Sequence, residues 1–151
     1  MTKAILLSIP MMLAILAGGH ALSGSGTTGD AQAIRDVLKT HYVEGLYVKR
    51  DRELLGAGLA SNFVMQVYWN GALSTRTREA WLAKIKPDSE PSSRRVESEI
   101  RVLDITGAAA VARVDLHVDG VHKYTDFFGL YKAEAGWKMT VKFFHAHSQG
   151  G

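Results

Sequence analysis

The spacing of apolar residues divides the chain into a helical first part and a strand-rich second part. From Asp30, apolar residues recur every three or four positions, which predicts a helix near residues 30–49 with Asp30 as its N-cap. Gly45 lies inside this predicted helix, where glycine costs about 1 kcal/mol relative to alanine, so we expect a neighbouring segment to approach closely there. Asp51 is positioned to cap a second, short helix.

One strand and a third helix are predicted next. Residues 63–69 alternate between two faces, which predicts a strand that ends at the turn signal Asn70-Gly71. Thr77 opens the third helix, which ends at a predicted loop over residues 87–93.

From residue 95 to residue 145 the pattern has a period of two, which predicts a series of β-hairpins. The turn signals are Asp119-Gly120 and Ala135-Gly136. Helices followed by hairpins are typical of an α+β fold, here about three N-terminal helices packed on one face of a curved antiparallel sheet.

The first 21 residues have the layout of a secretory signal peptide. Lys3 supplies a positive start, residues 4–17 are apolar apart from one serine and one proline, and small residues that permit cleavage after Gly19 or Ala21 follow. A transmembrane helix needs about 20 apolar residues, so this run is too short to span a bilayer. We expect a secreted or periplasmic protein without a stable membrane anchor after cleavage; the alternative is an uncleaved N-terminal anchor.

The remaining chain is long enough for one domain. Residues 22–29 are rich in glycine, serine and threonine and are expected to form a flexible linker. Residues 30–147 are predicted to fold, and residues 148–151 are expected to be a disordered tail.

Composition excludes several classes of function. The 151 residues contain no cysteine, which rules out disulfides, zinc–thiolate sites and a thiol nucleophile. The 18 Lys and Arg residues are interspersed with the 15 Asp and Glu residues, so no nucleic-acid partner is expected. No phosphate-binding loop or nucleotide motif occurs, and no cofactor is expected.

The histidines do not have the spacing of a metal site. Two-residue turns would make His117 and His122 cross-strand neighbours, while His145 and His147 lie near the C-terminus. We interpret the first two as a solvated pair and expect no bound metal.

Hairpin register predicts an acid and an imidazole on the apolar face of the sheet. If Ala135-Gly136 is a two-residue turn, Asp126 lies opposite His145. Such a pair in an apolar cleft can act in general acid–base catalysis, because burial and the partner tune both pKa values. The alternative is that Asp126 is structural and anchors a neighbouring side chain.

Arg113 is the weaker member of this predicted cluster. A two-residue turn at Asp119-Gly120 places it opposite Asp126, but the alternation of its own strand puts Val114 on the apolar side instead. A β-bulge between residues 113 and 126 would resolve the conflict by shifting the register by one residue.

The inner face of the sheet and the helices are predicted to enclose a ligand pocket. Aromatic walls with a few polar groups suit a flat ligand of small to medium size, although each aromatic side chain could equally be core filler. Lys142 is predicted on the opposite face, as a solvated or dimer-rim lysine. The predicted lining residues are Tyr42, Leu46, Met65, Val67, Trp69, Trp81, Arg113, Phe128 and Phe143.

Three segments carry a family resemblance. They read HYVEGLYVKRDRELLGAGLASNFVM (41–65), STRTREAWLAKI (74–85) and TDFFGLYKAEAGWKMTVKFFH (125–145). Together they resemble the nuclear-transport-factor-2-like (NTF2-like) superfamily, specifically its putative lumazine-binding branch, which is close to the SnoaL-like proteins. The resemblance implies a cystatin-like, cone-shaped α+β fold with an internal pocket, and frequent homodimerisation through the outer sheet face. The chain departs from many relatives at Ala60-Ser61, where they have His-Pro.

Three functions remain open from the sequence. The first is an exported domain that binds a small aromatic or hydrophobic molecule in the pocket. The second is a cofactor-independent isomerase, cyclase or dehydratase of the ketosteroid isomerase or SnoaL type, in which Asp126 and His145 transfer protons. The third is a protein-interaction domain whose outer sheet face exposes Phe127, Tyr131 and Phe144.

Overall fold

A long N-terminal helix packs across a six-stranded sheet. The computed structural model describes residues 24–86 and 89–147; the predicted signal peptide and C-terminal tail lie outside them. The helices are α1 (Gly24–Val37), its π-helical continuation (Leu38–Val48), α2 (Arg52–Gly58) and α3 (Arg78–Leu82). The strands are β1 (Leu59–Trp69), β2 (Ala72–Thr77), β3 (Val96–Thr106), β4 (Ala109–Val118), β5 (Val121–Ala133) and β6 (Gly136–Ala146).

The first helix begins earlier than predicted. It starts at Gly24 rather than Asp30, so residues 24–29 of the predicted linker are helical. Asp30 is therefore not an N-cap. Its carboxylate instead accepts hydrogen bonds from Lys132 Nζ at 2.7 Å and Trp137 Nε1 at 3.0 Å, which tie the helix to the sheet.

The predicted close approach at Gly45 is confirmed. A Cβ built on Gly45 would lie 2.9 Å from the backbone nitrogen of Leu55 in α2. The N-cap of α2 is also confirmed, because the Asp51 carboxylate accepts the backbone N–H groups of Glu53 and Leu54, each at 2.9 Å. Thr77 likewise caps α3.

The sheet contains one strand that the sequence pattern missed. Its strand order is β2-β1-β6-β5-β4-β3, and β1 pairs with β6 in parallel while the other pairs are antiparallel. The sheet is therefore mixed rather than wholly antiparallel. The unpredicted strand is β2, which follows the Asn70-Gly71 turn as an exposed edge strand without clear apolar alternation.

The predicted register of the last hairpin is wrong for two reasons. Ala133 pairs with Gly136, so the turn is Glu134-Ala135 rather than Ala135-Gly136; this two-residue shift leaves each side chain on its predicted face.

A β-bulge in β6 then shifts the register by one residue. Leu130 pairs with Met139 but Gly129 pairs with Val141, so Thr140 is an extra residue on β6. Each later side chain of β6 is thereby turned to the opposite face from the one predicted.

Asp126 consequently pairs with Phe144 rather than His145. Lys142 lies on the inner face instead of the outer one, and Phe143 and His145 are exposed on the outer face. The predictions for these residues are wrong because the extra residue shifts the alternation by one position.

A second bulge decides the position of Arg113. The register of the β4–β5 hairpin shifts between Leu116 and His117, so a bulge does lie between residues 113 and 126. It pairs Val114 with Asp126, and Arg113 with Phe127. The alternation of β4 therefore holds, and the prediction that Arg113 lies opposite Asp126 is wrong.

The core lies between the helices and the inner face of the sheet. Ile34 and Leu38 from the long helix pack with Val114 of β4 and Phe128 of β5, and all four are fully buried. Within the described residues, none of the helices is long and apolar enough to cross a membrane.

Gly45→Ala tests the helix contact. We expect this variant to lose about 1–3 kcal/mol of unfolding free energy, because the new methyl group must displace the backbone of Leu55. The measurement is urea unfolding followed by circular dichroism. The control is Gly29→Ala in α1, where nothing lies within 4 Å, and this variant should gain about 0.5–1 kcal/mol. Equal stabilities of the two variants would contradict the proposed contact.

Candidate functional site

A cavity of about 800 Å³ opens between the helical layer and the inner face of the sheet. This volume lies within the range of roughly 300–1,000 Å³ that is typical of small-molecule sites. Its walls come from the π-helical segment, α3 and four of the strands. The lining residues are Leu46, Tyr47, Met65, Val67, Trp69, Ser74, Arg76, Trp81, Lys123, Tyr124, Lys142, Phe144, Ala146 and His147.

A buried ion pair stands at the inner wall of this cavity. Lys142 Nζ lies 2.6 Å from Asp126 Oδ1, and the two residues are 4% and 0% exposed. Among the described residues, Oδ1 has no hydrogen-bond partner with favourable angles, so the charge of the ammonium group is what holds it. The other carboxylate oxygen accepts the hydroxyl of Tyr42 at 2.5 Å. Asp126 is therefore shielded from the cavity, whereas Lys142 lines it.

Two tyrosines extend this network to the cavity surface. The Tyr42 and Tyr47 hydroxyls are 3.2 Å apart, and because Tyr42 donates to Asp126, Tyr47 donates to Tyr42. Burial raises the pKa of Tyr42, and the neighbouring Tyr47 and Asp126 raise it further. Burial and the Asp126 charge also raise the pKa of Tyr47. Both phenols thus stay protonated at neutral pH and act as hydrogen-bond donors.

Aromatic rings surround the Lys142 ammonium group. Its Nζ lies 4.2 Å from the centroid of Phe144, 5.6 Å from that of Tyr42 and 5.9 Å from that of Trp81. Burial lowers the pKa of Lys142, and Asp126 partly offsets this effect. In its charged form the group can donate a hydrogen bond to a ligand; in its neutral form it can accept a proton.

Five of the predicted lining residues do line the cavity: Leu46, Met65, Val67, Trp69 and Trp81. Tyr42 and Phe128 are fully buried behind its wall. Phe143 and Arg113 belong to the outer face and do not reach the cavity. A ligand-binding role for the five lining residues remains a prediction.

The predicted Asp126–His145 pair does not form. His145 pairs with Thr125 on the outer face, while Asp126 points inward and is fully buried. The prediction that these two residues share a catalytic cleft is therefore wrong.

Sequence reasoning missed the true partner of Asp126. A buried carboxylate must be paired, and this requirement alone pointed to a cation on the neighbouring strand. Lys142 comes next to Asp126 only when the turn is placed at Glu134-Ala135 and one bulge is allowed in β6, and neither was predicted from the sequence.

Arg113 takes part in a separate polar cluster on the outer face. Its guanidinium group donates two hydrogen bonds of 2.8 Å to Asp115, which also accepts from Arg101 and Thr125. Burial raises the pKa of Asp115, but the hydrogen bonds from Arg113, Thr125 and Arg101 outweigh it and hold this pKa below its usual range.

The predicted pairing of His117 with His122 is confirmed. The two rings stack with centroids 4.5 Å apart, and His147 lies against His122 at 3.8 Å. Across residues 24–86 and 89–147, no group of three or more His, Asp or Glu side chains is arranged to hold a metal ion.

Asp126→Asn tests the buried ion pair. We expect a loss of about 3–5 kcal/mol of unfolding free energy at neutral pH, because the variant leaves an uncompensated ammonium group inside the protein. Without Asp126, the pKa of Lys142 falls further below its unfolded value. The unfolded state then binds more protons in the window between these two pKa values. Because the pKa of Lys142 is already lowered in the unmodified chain, the loss should shrink as the pH rises from the Lys142 pKa of the variant to that of the unmodified chain.

Urea unfolding at several pH values measures this effect. The control is Asp104→Asn on the exposed surface, which should change stability by less than about 0.5 kcal/mol. A pH-independent loss in Asp126→Asn would argue against the ion pair.

Comparison with solved structures identifies relatives of the same fold. An NTF2-like protein of unknown function from Shewanella baltica OS155 is 29% identical, with a TM-score of 0.69 over 81% of this chain and 97% of that one. A second, from Silicibacter pomeroyi DSS-3, is 20% identical, with a TM-score of 0.68 over 80% of this chain and 98% of that one. A putative aromatic ring hydroxylase from Novosphingobium aromaticivorans is 17% identical, with a TM-score of 0.63 over 81% of this chain and 92% of that one. At this identity the similarity shows a shared fold alone.

No curated protein matches the chain. The family model described as putative lumazine-binding matches residues 29–145, which include five strands, all but the last residue of the sixth and most of the helical layer. The protein therefore belongs to the putative lumazine-binding family of the NTF2-like superfamily.

Proposed function

We propose that this protein binds a small aromatic or hydrophobic molecule in its cavity. The observation that carries the proposal is an open space of about 800 Å³ with aromatic walls and a buried ion pair at its inner side. Ligand sites combine an apolar lining with a few fixed polar groups in this way. The family to which the chain belongs is described as putative lumazine-binding, which supports a small flat ligand.

Binding is favoured over the isomerase or cyclase alternative. That alternative required Asp126 and His145 to meet at a solvent-connected cleft, and they lie on opposite faces of the sheet. Asp126 is also sealed behind Tyr42 and Lys142, so it is not positioned to take a proton from a molecule in the cavity.

The site of action is proposed to be outside the cytoplasm. The support is the signal-peptide layout of residues 1–21, with its positive start, apolar run and small residues before the cleavage position.

Trp69→Ala tests the cavity as the binding site. Trp69 is 63% exposed where it lines the cavity, so its removal should leave the fold intact but take away a stacking surface. Isothermal titration calorimetry with a neutral two-ring aromatic alcohol, 2-naphthylmethanol, should show binding to the unmodified chain and affinity weakened about three- to tenfold in the variant. Tyr68→Ala, at the adjacent exposed aromatic residue that does not line the cavity, is the matched control. Equal affinities for all three proteins would place binding elsewhere.

A homodimer through the outer sheet face is a second proposal. Phe127 and Phe143 stack there with centroids 5.2 Å apart, and Val111 and Tyr131 are 44% and 58% exposed on the same face. An exposed apolar patch of this kind supports a site of association on this face. Phe144, which we had predicted to belong to the patch, lines the cavity instead.

Phe143→Glu tests the dimer. Size-exclusion chromatography with light scattering should give a dimeric mass for the unmodified chain and a monomeric mass for the variant, because a carboxylate would be desolvated at the interface. Leu73→Glu, at an exposed residue of β2, is the control and should remain dimeric. A monomeric mass for the unmodified chain would refute the dimer and would leave the cavity proposal intact.

A further inference from the structure

Positive charge dominates the lining of the cavity. Three of its residues have basic side chains, namely Arg76, Lys123 and Lys142, and among the described residues no Asp or Glu lines it. His147 is a fourth basic residue there. Desolvation and the nearby His122 and His145 lower its pKa, so at pH 8 it adds a polar ring without a charge.

The charge of Lys142 is already compensated. Asp126 lies 2.6 Å from its ammonium group and is completely buried beside it. A ligand that approached Lys142 with a full negative charge would compete with this fixed carboxylate. Lys142 is therefore better suited to donate a hydrogen bond to a polar atom of the ligand than to neutralise an anion.

Arg76 and Lys123 differ from Lys142 in this respect. Each is half-buried where it lines the cavity, and neither has an ion-pair partner among residues 24–86 and 89–147. Arg76 projects from edge strand β2, and Lys123 from the start of β5. Two uncompensated charges from separate strands thus line the same cavity, where the low-dielectric protein walls make their attraction for an anion stronger than in open solvent.

Much of the remaining lining of the cavity is aromatic. Trp69, Trp81, Tyr124 and Phe144 come from β1, α3, β5 and β6, and they surround the cavity from several sides. Such rings gain free energy by stacking on a flat apolar body. A compact inorganic anion would leave these walls without contacts, and a cationic ligand would be repelled by the two free charges.

From this combination we propose that the ligand is an aromatic carboxylate, whose ring system stacks on the aromatic walls while Arg76 and Lys123 hold its negative charge. The inference deepens the proposed function and depends on it. Arg76 can bind a carboxylate with two parallel hydrogen bonds, whereas Lys123 acts as a point charge.

Three two-ring probes of the same size and different charge separate the inference from the proposed function. They are 2-naphthoate, which is anionic, 2-naphthylmethanol, which is neutral, and 2-naphthylmethylammonium, which is cationic. Calorimetric titration at pH 8 should give naphthoate an affinity about tenfold or more above that of the alcohol, with the ammonium compound weakest. Added salt should reduce the preference for naphthoate, because mobile ions screen charges near solvent.

Charge-removing variants assign this preference to residues. In Arg76→Gln and Lys123→Gln the advantage of naphthoate over the alcohol should shrink severalfold, and in the double variant it should disappear, while the affinity for the alcohol stays the same. Lys84→Gln removes one positive charge at an exposed residue away from the cavity, and it should retain the full preference. Thermal unfolding of each variant confirms that the fold is intact.

The outcomes are distinguishable. If the alcohol binds as tightly as naphthoate, the carboxylate inference is wrong and the proposed aromatic site stands. If naphthoate is preferred but both cavity variants keep the preference, the assignment to Arg76 and Lys123 is wrong. If none of the three probes binds, the proposed function and this inference fail together.

Discussion

The buried carboxylate of Asp126 is the constraint on which the arrangement of this molecule depends. A charged group without access to water must be paired and hydrogen-bonded. Here the charge comes from Lys142 on β6, and the hydrogen bond from Tyr42 on the π-helical segment. One residue therefore links β5, β6 and the helical layer. The cavity occupies the space beside this three-way contact.

The β-bulge at Thr140 makes the contact possible. Before the bulge, Trp137 and Met139 face the core; after it, Lys142 and Phe144 face inward. A regular strand would have turned Lys142 to solvent and buried Phe143, and Asp126 would have had no cation on β6. The extra residue also turns His145 outward, so one local irregularity both creates the ion pair and removes the predicted acid–base pair.

Features produced by interactions between neighbours in the sequence could be predicted, whereas features produced by the pairing of distant strands could not. The caps at Asp51 and Thr77, the turns at Asn70-Gly71 and Asp119-Gly120, and the strand alternation are local, and the sequence pattern was sufficient for each. The turn of the last hairpin is Glu134-Ala135 rather than Ala135-Gly136, which shifted the register by two residues without changing which face each side chain occupies. The bulge in β6 depends on the pairing of two strands and has no residue signature of its own, so the predicted facing of the side chains beyond it was wrong.

Two other errors have a similar origin. Strand β2 is an exposed edge strand, so no apolar alternation marks it. The π-helical geometry of Leu38–Val48 also has no pattern in the sequence that distinguishes it from an α-helix. Five lining residues could nevertheless be predicted, because they lie on the π-helical segment, β1 and α3. The bulge in β6 does not change which way the side chains of these elements point.

Stability alone does not account for the charged pair in this wall. Replacing a buried ion pair by apolar side chains of similar volume is often neutral or even stabilising, since desolvation of both charges offsets their attraction. Lys142 and Asp126 occupy a wall that is otherwise aromatic, and Leu or Met would fill the same space. What apolar residues could not supply is a fixed donor at the surface of an apolar cavity. The pair gives the cavity such a donor without leaving a net charge there, and the free charges of Arg76 and Lys123 lie elsewhere on its wall. This separation allows one ligand to be oriented by a neutral polar contact and held by a charged one.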